Sequence, residues 1–174
     1  MKEQSYRAIF EAVDSSPFIK GYIIWFNRIV TNAVYLMYPV LLVLLYLNRD
    51  QIPPGRGLIP AILIPGISFL LLTLYRHVLN SPRPYEVFDF PSVINKKTAG
   101  HSFPSRHIFS MFVIATTVFY FYPLPGVLIG LTGAALALNR VLGGVHFVKD
   151  VVAGALLGIL CGVVGFYVIL PLVG

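Results

Sequence analysis

Charge is scarce in this chain. Of its 174 residues only 11% are charged, and just 7 are Asp or Glu. Hydrophobic residues make up 57% and the mean hydropathy is +0.80, a balance that excludes a soluble globular domain. Cysteine occurs once, as Cys161, so an intramolecular disulfide is excluded and redox compartment is not legible. The N-terminal stretch "MKEQSYRAIFEAVDSSPF" mixes both charge signs and lacks a clean apolar core before a small-residue site, so no cleavable signal peptide is expected. The formal charge of +6 comes without a basic stripe or a soluble domain to carry one, which argues against nucleic acid as a partner and for an anionic lipid or phosphate.

What is abundant is long apolar sequence. Runs able to cross a hydrocarbon layer of about 30 Å occupy residues 29–47, 58–79, 104–122, 124–142 and 151–172. The expected fold is therefore all-α, a polytopic membrane bundle of about five transmembrane helices forming one domain over residues 29–174. Residues 1–28 place Tyr6, Ile9, Phe10, Val13, Tyr22, Ile23, Trp25 and Phe26 among scattered charges, which predicts an N-terminal amphipathic segment lying in the interface. Gly154, Gly158 and Gly162 recur at four-residue spacing in the last run, and Gly126 and Gly130 do so in the fourth; such faces let helices approach closely.

Counting span directions puts the end of the second run, the start of the third, the end of the fourth and the start of the fifth on one side of the membrane. There the chain collects Arg76, Arg83, Arg106, His107, Arg140, His146 and Asp150, in the blocks "RHVLNSPRP" (76–84), "PSRH" (104–107) and "NRVLGGVHFVKD" (139–150). Ionisable groups at membrane depth are costly and mark functional sites. Arginines with a single acid, Asp150, among them need another anion, and a phosphoryl group suits their planar, bidentate forks. His146 and Asp150 are four residues apart, so on a helix start they share a face; the carboxylate then holds one imidazole nitrogen protonated and leaves the other as a nucleophile. Ser105, Arg106 and His107 open the third run, where free backbone N–H groups favour an anion, and His107 is placed to protonate a departing alkoxide. His77 and His101 lack such company and read as interface residues or supports behind the site.

These blocks resemble the three-part signature of the type 2 phosphatidic acid phosphatase superfamily, K-x6-R-P, then P-S-G-H, then S-R-x5-H-x3-D. Order and spacing match, with Arg76 in place of lysine, Asn139 in place of serine and Arg106 in place of glycine. The resemblance implies a two-step hydrolysis in which His146 takes the phosphoryl group as a phosphohistidine and Asp150 orients it. Arg76, Arg83, Ser105, Asn139 and Arg140 hold the oxygens, His107 protonates the leaving group, and water releases phosphate. It implies no metal and no cofactor, and the sequence agrees, since the blocks lack the clustered carboxylates that hold magnesium beside a phosphate.

The expected substrate is a lipid phosphate or diphosphate: undecaprenyl diphosphate, phosphatidylglycerophosphate or phosphatidic acid. Arg106, Lys96 and Lys97 tilt the expectation toward two phosphates. An anionic-lipid transporter or flippase is the alternative, and the H-x3-D pair, which translocation does not need, argues against it. Outside the blocks, six basic residues on the site's side face Arg49 and Arg56 opposite, which favours a cytoplasmic site; the resemblance implies a bacterial cytoplasmic membrane with the site facing outward. The sequence assigns no oligomeric state.

Overall fold

The N-terminal sequence EQSYRAIFEAVD sets Tyr6, Ile9, Phe10 and Val13 three and four residues apart, one face of a helix. The computed structural model, which describes residues 3–53, 55–88, 90–94 and 99–173, forms that helix as α1, Glu3–Asp14, with Tyr6 and Val13 buried. Helix α2 follows at once, Pro17–Leu47. Its start is dictated locally: the Ser16 hydroxyl accepts from Ile19 N at 3.4 Å and Pro17 takes the first helical position, where a missing N–H costs nothing. Residues 17–28, expected in the interface, are thus the opening turns of the first long apolar helix, and only α1 lies apart from it.

The remaining helices are α3 (Leu58–Leu79), the short α4 (Pro84–Val87), α5 (Arg106–Phe121), α6 (Pro123–Leu142) and α7 (Val148–Val163). A π-helical turn, Val164–Ile169, and a last turn, α8 (Leu170–Val173), continue α7. Among the described residues four helical stretches are long and apolar enough to cross a membrane, those beginning at Pro17, Leu58, Pro123 and Val148. Helix α5, at 16 residues, is the shorter fifth member. It stands at the centre, packed chiefly on α7 and α6 and also on α3.

Small residues place α5. A Cβ on Gly154 would lie 2.6 Å from the Ser105 carbonyl oxygen, and one on Gly158 would lie 2.6 Å from that of Phe109. Any larger residue on this stripe would push α7 off α5 and open the site at their shared end. Gly130, by contrast, meets nothing within 4 Å, so the pattern expected on α6 is not a contact face there. Leucines such as Leu36, Leu71, Leu131 and Leu156 point outward, while Arg76, Arg83, Arg140, His146 and Asp150 are buried. This inverts a soluble bundle and suits a lipid surround.

Candidate active site

The three blocks meet at one end of the bundle. Arg76 lies in the last turn of α3, which Asn80 terminates in the left-handed region at φ 38°. Arg83 caps α4, and its backbone N–H donates to Glu86 Oε2 at 2.7 Å. Glu86 also accepts from Gly100 N, so one acid ties the first block to the strand of loop entering the second. Ser105 caps α5 and its backbone N–H donates to the Asp150 carbonyl at 2.8 Å, joining the second block to the third. The turn between α6 and α7 relies on Gly144, at φ 71°, a conformation costly for other residues.

The arginines do not play equal parts. Arg76 donates to the carbonyls of His101, Ser102 and Pro104. Arg83 donates to Gly100 O at 3.0 Å, Val145 O at 3.0 Å and His101 O at 3.4 Å, stapling the first block to the third and to the loop that leads into the second. A guanidinium carries five N–H donors, so each arginine keeps donors for a ligand. Arg106 instead lies over the Phe69 ring at 5.6 Å. Arg140 is 3% exposed and its Nε is buried without a hydrogen-bond partner among the described residues, a costly state unless an anion arrives.

At the centre His146, 1% exposed, turns Nδ1 toward Asp150 Oδ2 at 3.4 Å. The same oxygen accepts from the Ser102 hydroxyl and from Phe147 N at 3.0 Å. Burial pushes the His146 pKa well below its ordinary range, with Arg83 and Arg140 acting in the same direction against the bond to Asp150. The imidazole is thereby neutral and its Nε2 is the atom left to react. A cavity of about 380 Å³ adjoins it, with Arg76, Arg83, Arg106, His107 and His146 in its wall.

A model of the PAP2 superfamily matches residues 57–172, which contain all three blocks. The chain belongs to the PAP2 superfamily. It is a multi-pass membrane lipid phosphatase of that family. It is 29% identical over 139 residues to the bacitracin transport permease protein BcrC of Bacillus licheniformis, covering 78% of this chain and 67% of that one. Among solved structures, Aquifex aeolicus LpxE superposes with a TM-score of 0.72 at 25% identity, over 94% of this chain and 93% of that one. A Bacillus subtilis PAP2-type phosphatidylglycerolphosphate phosphatase shares the fold, with a TM-score of 0.69 at 21% identity and coverage of 94% and 83%.

Against the PAP2 pattern, the structure brings Arg76, Arg83, Arg106, His107 and His146 to the cavity wall and sets Asp150 directly behind His146. Ser105 is fully buried and its hydroxyl has no hydrogen-bond partner among the described residues. Asn139 gives Nδ2 to Ile23 O on α2 at 3.3 Å, so the residue replacing the family serine also ties the site to α2. Lys96 and Lys97 lie outside the described residues. His77 and His101, expected as interface residues or supports behind the site, line the cavity, with rings stacked 5.2 Å apart. Sequence reasoning missed Ser102, Glu86 and Tyr6. Tyr6, on α1, accepts from Val148 N at 3.1 Å, capping the helix that carries Asp150. Its ring packs against Phe147 and Phe88. Among the described residues no three His, Cys, Asp or Glu side chains gather as a metal ligand set.

Proposed function

We propose that this PAP2 protein hydrolyses lipid phosphates in two steps through a phosphohistidine on His146. The observation that carries this reading is the imidazole itself: buried, neutral, backed at Nδ1 by Asp150, and set in the wall of an arginine-lined cavity. In the first step Nε2 forms a bond to phosphorus as the bond from phosphorus to the ester oxygen breaks, and His107 gives its proton to that oxygen. In the second, water attacks phosphorus, the nitrogen–phosphorus bond breaks, and His107 recovers a proton from the water as inorganic phosphate leaves. Arg83, Arg140 and Arg76 hold the phosphoryl oxygens, where charge-assisted bonds act in a water-poor site.

The substrate we favour is undecaprenyl diphosphate or phosphatidylglycerophosphate. The relative named a phosphatidylglycerolphosphate phosphatase fits the second, and Arg106 in the cavity wall, where the family has glycine, fits a diphosphate. The reaction needs no metal, since the cations that offset phosphate charge are arginines. We place the site on the outer face of a bacterial cytoplasmic membrane, following the family resemblance. The name of the BcrC relative keeps lipid transport in view, but a translocation path has no use for a carboxylate-backed imidazole.

The test is purified protein offered these lipids in excess chelator, with phosphate release measured. His146→Ala and His107→Ala should each lower kcat at least about 10³-fold. Chelator-sensitive turnover restored by magnesium, or full turnover by His146→Ala, contradicts the proposal.

A further inference from the structure

The three blocks of the signature leave out the side chain that touches Asp150 most closely. Ser102 is fully buried. Its hydroxyl donates to Asp150 Oδ2 and lies 3.3 Å from His146 Nδ1. His146 Nδ1 stands 3.4 Å from that same carboxylate oxygen, beyond the usual range of about 2.7–3.2 Å for an N–H to O hydrogen bond. Without substrate, then, Asp150 is held by Ser102 and by Phe147 N more tightly than by the histidine it is meant to orient. Asp150 Oδ1 has no partner among the described residues, so every bond that fixes this carboxylate falls on one oxygen.

We infer that Ser102 is a positioning residue for the nucleophile: its hydroxyl pins Asp150 Oδ2 against His146 Nδ1 and so fixes the ring plane and the tautomer from which Nε2 attacks.

The main chain of Ser102 is built for this. Its N–H donates to Ser81 O at 2.8 Å and its carbonyl accepts from Arg76 Nη1 at 3.3 Å. Both partners belong to the first block, so the loop that positions the arginines also sets the depth of the hydroxyl. When His146 accepts a phosphoryl group and its ring gains positive character, Oδ2 must draw toward Nδ1. Ser102, in reach of both atoms, can follow that shift without losing its acceptor, which a backbone donor such as Phe147 N cannot do as freely. Catalytic hydrogen bonds that are long in the free enzyme and tighten in the complex fit this arrangement.

The inference rests on the phosphohistidine reading, and the experiment separates the two. Single-turnover phosphorylation and steady-state turnover of a lipid phosphate are measured for wild type, Ser102→Cys, Ser102→Ala, Asp150→Asn and the Ser102→Ala, Asp150→Asn double variant. The expected order of kcat is Ser, then Cys, whose thiol donates weakly, then Ala about tenfold below wild type, with KM unchanged within about twofold. With the carboxylate replaced, removing the hydroxyl should cost less than twofold, because the two groups act as a unit. Wild-type kcat in Ser102→Ala, a shift in KM alone, or the same tenfold cost in the Asn background would overturn the inference. Should Ser102→Ala prove unstable in detergent, the Cys variant decides, and wild-type kcat there would equally overturn it. Absence of any phosphoenzyme in wild type would instead overturn the two-step reading itself.

Discussion

Arg76 and Arg83 form one pair of cations, and Arg106 and Arg140 another, that the sequence presents alike and the structure treats differently. The first pair spends three hydrogen bonds each on loop carbonyls. In the second pair Arg106 rests over an aromatic ring, and Arg140 Nε is buried with no hydrogen-bond partner among the described residues. Arg76 and Arg83 build the receptacle, and they line it as well. In the proposed reaction Arg140 is stored charge, buried at a cost that a bound phosphoryl group would offset. A cation's distance from the phosphate site therefore says less about its part than where its donors go before substrate arrives.

The sharpest way to break that comparison is to remove one member of each pair. Arg83→Ala should abolish measurable turnover and also destabilise the protein, since the buried Val145 carbonyl and the part-buried Gly100 carbonyl lose a donor at about 1–3 kcal/mol each; its unfolding midpoint in detergent should fall by roughly 5 °C or more. Arg140→Met should lower kcat about 10²–10³-fold, yet leave the midpoint unchanged or raise it by a few degrees, because an apolar side chain replaces a buried charge whose Nε has no partner among the described residues. If both variants shift the midpoint in the same direction by similar amounts, the division between builder and stored charge is wrong.

Arg106 sharpens the comparison from the other side. Among the described residues its guanidinium meets the Phe69 ring and no carbonyl, so Arg106→Gly should spare the receptacle and monophosphate hydrolysis while lowering kcat/KM for a prenyl diphosphate about tenfold. Kinetics on a matched prenyl diphosphate and monophosphate check this, and an unchanged ratio means that Arg106 does not read the second phosphate.

The smallest effect concerns pH. The folded-state pKa of His146 is lowered by burial, with Arg83 and Arg140 adding to the effect. On acidification the unfolded chain therefore takes up that proton first, near the ordinary imidazole value of about 6.5. The contribution to stability is full above that value and is lost as pH falls below it. The unfolding midpoint should drop between pH 7 and pH 5 by more in wild type than in His146→Gln. Equal drops would mean that His146 is not held neutral.

Much of this was legible in the chain. The H-x3-D spacing placed Asp150 behind His146, and the alternation of span directions brought four helix ends to one face. The glycine spacing on α7 predicted a close helix contact, and the structure shows α5 as the partner. Ser102 was not legible, because a serine has no marker in sequence and its partner lies 48 positions away. Glu86 left only a faint trace: an acid three residues after Arg83 is capping-box spacing, but the helix it caps is four residues long and carries no apolar period. His77 and His101 read as interface residues or supports because one adjoins Arg76 at a span end and the other lies in a Gly-containing loop, whereas the left-handed turn at His101, φ 51°, brings its ring against His77 at the cavity wall. Tyr6 read as one apolar position on an amphipathic face, and only the docking of α1 on the turn after His146 reveals its hydroxyl as a helix cap.

The central claim is that His146 carries the phosphoryl group. The most direct measurement is to mix the enzyme with a lipid phosphate labelled at phosphorus, quench in alkali within one turnover, and map the label by peptide. The account predicts one alkali-stable, acid-labile phosphoryl group on the peptide containing His146, absent in His146→Ala and accumulating where release is slowed. Rapid release of labelled phosphate with no protein-bound label at any quench time, or label on another residue, would contradict it.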